Sequence, residues 1–235
     1  MRKRNQKARR QALLLMVLLM IAVVGLKVAV ASVQENINGL VINGQHLQTD
    51  NAELPWHLIL VNPWNELPEN AEPELLELSN GERIDSRIYP DLQQMFDDAR
   101  ADGIDPEVTS GFRSQERQQE LFNDKIQQYR DEGFSKRTAK ALARKWVSEP
   151  GYSEHETGLA LDINAKEGSS AAVYEWLAEN SSRYGFILRY PADKTDITGI
   201  DHEPWHFRYV GKEAAAYITA HNLTLEEYLE QSAKN

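Results

Sequence analysis

Apolar residues recur three and four apart between Tyr89 and Ala101, at Leu92, Met95, Phe96 and Ala99, and this spacing predicts a helix with Pro90-Asp91 at its start. Two further helical stretches follow. Ser114 is placed to cap QERQQELFNDKIQQYRDEG, which ends at Gly133, and Ser135 to cap KRTAKALARKWV, which stops before Pro150. SAAVYEWLAENSSRYG reads as another helix, and Thr224-x-x-Glu227 as the capping box of a last short one. Between these lie short runs, alternating or continuously apolar, that predict strands: WHLILVNP up to Pro63, GLALDIN from Gly158 to Asn164, FILRY and HFRYV. ELLELSNGERID predicts a hairpin around Asn80-Gly81. EVTSGFR predicts a strand entering a loop, with Arg113 at the junction to the next helix. Helices and short strands in irregular order, without βαβ alternation, predict an α+β fold: a small antiparallel sheet flanked by helices.

The first 33 residues follow another pattern. Arg2, Lys3, Arg4, Lys7, Arg9 and Arg10 precede an apolar run from Ala12 to Leu26 that continues past Lys27 to Val33. We divide the chain into a basic cytoplasmic tail (1–11), a transmembrane signal anchor (12–33), a linker or peripheral segment (34–54) and a catalytic domain (55–235). Positive charge before the apolar run predicts a cytoplasmic N-terminus and an extracytoplasmic remainder. The length of the run favours an anchor in the cell membrane, and Ala29-Val30-Ala31 offers the alternative of a cleaved signal peptide and secretion.

Charge and cysteine content narrow the chemistry. Seven of the 26 cations and none of the 36 acids fall in the first 33 residues, so the remainder has 19 cations against 36 acids, a net of −17. Such a surface disfavours nucleic acid as a partner. Zero cysteines exclude disulfides, a thiol nucleophile and any cysteine-ligated zinc site, so a metal must be held by histidine and carboxylate.

HEPWH, His202 to His206, has the spacing of a helical zinc-binding pair. Pro204 argues against that helix, since an interior proline removes a hydrogen bond and clashes with the preceding turn, at a cost of roughly 3 kcal/mol. DITGID before it is turn-like and HFRYV after it alternates as a strand. Partners for His206 must then come from elsewhere, and SEHETGLALDI supplies His155 and Asp162. A carboxylate between Leu161 and Ile163 is expensive to bury unless it meets a cation or strong donors. His155, Asp162 and His206 would leave a fourth zinc position open, and Glu203 would be free to act as base.

SGFRSQERQ, SEHETGLALDI and EPWHFRYVG, in this order, closely resemble the zinc D-alanyl-D-alanine carboxypeptidases of the VanY type, which share a fold with VanX dipeptidases and the zinc domain of Hedgehog. The resemblance spans Trp56 to Tyr217. S-x-H-x-x-G-x-A-x-D is filled by Ser153, His155, Gly158, Ala160 and Asp162, and E-x-W-H by Glu203, Trp205 and His206.

The resemblance implies that His155, Asp162 and His206 bind Zn2+ and that Glu203 is the catalytic base. It implies that Arg113 faces the scissile carbonyl or the substrate carboxylate, and that Ser153 and Gln118 make polar substrate contacts. His202 matches no ligand and is expected to be a loop histidine. The implied substrate is a peptidoglycan stem peptide ending in D-Ala, cleaved as a D,D-carboxypeptidase cleaves it. An L,D-carboxypeptidase or other peptidoglycan peptidase on the same scaffold, and a non-catalytic wall-binding module, are the alternatives. Sequencing the N-terminus of the mature protein from the membrane fraction is expected to begin at Met1 or Arg2; a start at Ser32 would identify a cleaved signal peptide.

Overall fold

The computed structural model describes residues 46–51, 54–69 and 71–233, so the basic tail and the expected anchor lie outside the described residues. Among the described residues no helix is long and apolar enough to cross a membrane. The architecture is α+β. A hairpin of β1 (Leu75–Glu77) and β2 (Arg83–Asp85) turns at Gly81, as the Asn-Gly pair predicts. The main sheet contains β3 (Pro106–Ser110), β4 (Ala160–Ala165), β5 (Phe186–Leu188) and β6 (His206–Tyr209) in the order β3-β4-β6-β5, all antiparallel.

The helices are α1 (Tyr89–Ala101), α2 (Gln115–Asp131), α3 (Lys136–Ala143), α4 (Ala171–Asn180), α5 (Thr195–Thr198), α6 (Lys212–Ala220) and α7 (Leu225–Ser232). Ser114 and Ser135 cap α2 and α3 through their hydroxyls, and Thr224 and Glu227 form the reciprocal capping box of α7. Three expectations need correction. The helix begun at Ser135 ends at Ala143, short of Val147, and α6 and the single turn α5 occupy stretches where no helix was expected. WHLILVNP forms no strand beyond one bridge between Asn62 and Asn65. Its buried core, Ile59 to Val61, satisfies its backbone through side chains: Asn51 donates to and accepts from Leu60, and Arg208 donates to the carbonyls of His57 and Ile59.

Strand alternation divides the sheet into two chemically different faces. Leu161, Ile163, Phe186 and Phe207 point into the larger core with Leu92, Met95 and Phe96 of α1 and Val173 and Leu177 of α4. Each such side chain contributes roughly 1.5–3 kcal/mol on burial. The intervening positions belong to the other face, and there Asp162 sits directly across the β4–β6 ladder from His206. A second core joins Leu60, Ile187 and Val210 to Ala215 and Ile218 of α6 and Leu225 and Leu229 of α7. Segment 46–51 lies against this body, with Asn65 donating to the Leu47 carbonyl and His46 stacked on Trp64.

The chain enters β4 through a 3-10 turn, Glu154–Thr157, closed by Gly158 in the left-handed region at φ 68°. A Cβ there would meet the Asp85 backbone nitrogen at 2.8 Å, the atom that donates to the Gly158 carbonyl. Gly158→Ala is therefore expected to lower stability by about 1–3 kcal/mol, read from the urea unfolding midpoint.

Candidate metal centre

Three elements deliver three donor atoms to one point. Asp162 and His206 face each other as a cross-strand pair, and His155 arrives from the 3-10 turn before β4. Asp162 Oδ1 lies 3.4 Å from His155 Nε2 and 3.3 Å from His206 Nδ1, and the three donor atoms all fall within 4.8 Å of one another. Asp162 Oδ1 is buried and has no hydrogen-bond partner. A buried carboxylate oxygen left bare between two imidazole nitrogens fits a cation, and two imidazoles with one carboxylate are the ligand types of catalytic zinc.

The far side of each imidazole selects the nitrogen presented to that point. His155 Nδ1 donates to the Gly111 carbonyl at 2.8 Å, leaving Nε2 as the free lone pair. Gly111 is itself pressed against β2, where a Cβ would meet the Arg83 carbonyl oxygen at 2.2 Å. His206 Nε2 faces Glu154 Oε2 at 3.4 Å, leaving Nδ1 toward Asp162. Burial, helped by the Arg113 guanidinium, holds His155 below its ordinary pKa and hence neutral. Burial alone would do the same to His206, but the carboxylates of Asp162, Glu154 and Glu203 around it prevail and raise it to about 9.

Glu203 lies in the loop before β6, with its carboxylate 3.6 Å from His206 Nδ1. Burial, reinforced by Asp162, raises it to about 7 against the opposing pull of His206 and Arg113. Its loop is pinned by the Tyr190 carbonyl, which accepts from the Glu203 backbone N–H at 3.2 Å and from His202 Nδ1 at 2.8 Å. His202 is exposed and stands outside the metal-capable group. HEPWH is not helical: Pro204 and Trp205 form a turn, and β6 begins at His206.

A cleft of about 540 Å³ opens over this point and is lined by Arg113, Gln118, Ser153, Glu203 and Trp205, among others. All the residues singled out in the sequence therefore meet in one place, His202 excepted. Arg113 donates from Nη2 to Asp162 Oδ2 at 2.8 Å and from Nε to Ser110 Oγ at 2.9 Å, so in this state it orients the carboxylate. Gln118 donates to the Ser148 carbonyl at 2.8 Å, and its Oε1 is buried without a partner. Ser153 is buried at the start of the 3-10 turn.

Sequence reasoning missed the layer behind the metal-capable group. Glu154 is buried and receives Arg189 Nε at 2.8 Å and Arg208 Nη1 at 2.9 Å. Burial alone would raise its pKa, but the two guanidiniums and His206 hold it well below the usual carboxylate range. The signal was present in FILRY and HFRYV, where an arginine interrupts a buried strand and must find a partner.

An α+β scaffold with a buried His-Asp-His donor set and a carboxylate beside it defines a zinc hydrolase. The family model for VanY, D-alanyl-D-alanine carboxypeptidase, matches residues 81–212. A D-alanyl-D-alanine carboxypeptidase of Enterococcus faecalis is 55% identical over 75% of this chain and 67% of its own length. The putative carboxypeptidase YodJ of Bacillus subtilis is 40% identical over 75% of this chain and 68% of its own. A solved structure of VanYB in complex with D-alanine-D-alanine superposes with a TM-score of 0.73 at 55% identity, covering 75% of this chain and 98% of that one. This chain belongs to the VanY D-alanyl-D-alanine carboxypeptidase family.

A raised folded-state pKa for His206 means that its contribution to stability is complete below about 6.5 and is lost as pH rises through about 9. The metal-free protein is expected to lose stability between pH 7 and 9.5, measured by chemical denaturation, and the decline should vanish in His206→Gln.

Proposed function

We propose that this chain is a zinc-dependent D,D-carboxypeptidase that removes the C-terminal D-Ala from peptidoglycan stem peptides, with His155, Asp162 and His206 as the zinc ligands. The bare Asp162 Oδ1 between His155 Nε2 and His206 Nδ1 carries this reading. Kinship supports it: VanY D,D-pentapeptidase from a VanB-type resistance cassette, solved with Zn(II), is 55% identical with a TM-score of 0.73. Zinc, when bound, acidifies a water and polarises a carbonyl.

Glu203 takes the proton of the attacking water and delivers it to the departing D-Ala amine, acting first as base and then as acid. Its buried position and its value of about 7 suit both roles near neutral pH. Arg113, beside Asp162 at the cleft wall, offsets negative charge that develops on the scissile carbonyl oxygen or on the substrate carboxylate. Gln118 offers its unpartnered Oε1 as an acceptor for a substrate N–H, and Ser153 contributes a polar contact on the same wall. The segment 12–33 tethers the domain to the outer side of the cell membrane.

Purified pentapeptide stems incubated with the protein should lose one D-Ala by mass spectrometry, and a chelator should stop the release. Glu203→Ala is expected to retain zinc while losing D-Ala release by at least 100-fold. His155→Ala should lose zinc, whereas His202→Ala should keep it. An undiminished rate in Glu203→Ala, or tetrapeptide cleavage in place of pentapeptide cleavage, would sink the respective part of the reading.

A further inference from the structure

Behind His206 the hydrogen bonds form a chain of carboxylates and guanidiniums that ends on the last helix. Glu154 turns Oε2 toward His206 Nε2 at 3.4 Å, and its Oε1 accepts from Arg189 Nε at 2.8 Å and Arg208 Nη1 at 2.9 Å. The other edge of Arg189 faces Glu226 in the first turn of α7. Nη1 donates to Glu226 Oε2 at 2.9 Å and Nη2 to Oε1 at 2.7 Å. Glu226 Oε1 also accepts from Asn62 Nδ2 at 3.0 Å. None of Glu154, Arg189, Arg208 and Glu226 is more than 4% exposed.

The geometry decides which contact governs which. A guanidinium is planar, so the bidentate grip of Glu226 sets the plane in which Arg189 presents Nε to Glu154. Glu154 has little freedom of its own, since Arg189 and Arg208 converge on one oxygen and the other is thereby aimed at His206. Two carboxylates balance two guanidiniums. Without the Glu226 charge, Arg189 would be drawn onto Glu154 in a new orientation, and the imidazole behind which Glu154 stands would lose its fixed partner.

We propose that Glu226 and Glu154 are positioning residues of the metal centre: Glu226 fixes Arg189, Arg189 fixes Glu154, and Glu154 holds His206 with Nε2 occupied and Nδ1 directed at the metal position. This rests on the reading of His155, Asp162 and His206 as zinc ligands. It makes α7, on which no ligand lies, part of the centre. Partners that orient a histidine ligand from behind typically change metal affinity by 10- to 100-fold.

The test uses the full-length chain in detergent, stripped of metal, with zinc affinity measured by competition against a chromophoric chelator well below each variant's unfolding temperature. Glu154→Gln should weaken zinc binding by about 100-fold and Glu226→Gln by about 10-fold. Both should shift the d–d absorption of the cobalt-loaded protein. Asp91→Asn serves as the control. It removes the charge that pairs with Lys212 and strengthens the hydrogen bond from the Tyr209 hydroxyl, away from Glu154, Arg189 and Glu226, and should lower the unfolding temperature with zinc affinity unchanged. Glu226→Asp keeps the charge but shortens the reach. It should also weaken zinc binding, and it carries the test if the glutamine variant does not fold. Wild-type affinity and an unshifted cobalt spectrum in either folded Glu226 variant would overturn the proposal. A wild-type chain that binds no zinc would instead remove the ligand reading on which it stands.

Discussion

Glu154 is an ionised carboxylate with almost no contact with water, and much of the molecule is arranged to keep it so. Arg189 from the segment after β5 and Arg208 from β6 converge on it, and Glu226 from α7 compensates the second positive charge. Stripping one partner from such a buried cluster costs about 3–5 kcal/mol, because the remaining charge has nowhere to go. Arg208 extends the dependence further. Its remaining N–H groups hold the carbonyls of His57, Ile59 and Tyr209, so the irregular stretch before the hairpin is anchored by the same side chain.

The metal-capable group exploits a simpler rule. In an antiparallel pair, directly opposed residues project on the same face, so Asp162 opposite His206 brings two donors together without any loop having to be precise. The third donor comes from a tight turn held at both ends: His155 Nδ1 on Gly111, and Gly158 against Asp85. The apolar face of the same strands packs into the main core, so the site inherits the rigidity of that packing.

Environment separates the titrating groups that meet there. In the metal-free protein burial holds His155 below its ordinary pKa, the neighbouring carboxylates raise His206 to about 9, and burial raises Glu203 to about 7. Groups of the same kind thus reach different protonation states a few ångströms apart.

Most helices and the hairpin were legible because their signals are local: Ser114, Ser135 and Thr224 cap through their own side chains, and Asn80-Gly81 turns by backbone preference alone. The site was legible for a related reason. Asp162 between two apolar strand residues, and Pro204 inside a would-be helix, each break a local rule and so point to chemistry. WHLILVNP misled because apolar content fixes burial but not hydrogen-bonding, and its backbone is met by side chains, Asn51 nine residues from Leu60 and Arg208 149 residues from Ile59. By itself, then, the sequence determined most of the elements, the motif residues and the family. Only the tertiary structure decided the register that opposes Asp162 to His206, and the charge cluster that ties Glu226 to Glu154. Both depend on contacts between residues tens of positions apart, which no local preference encodes.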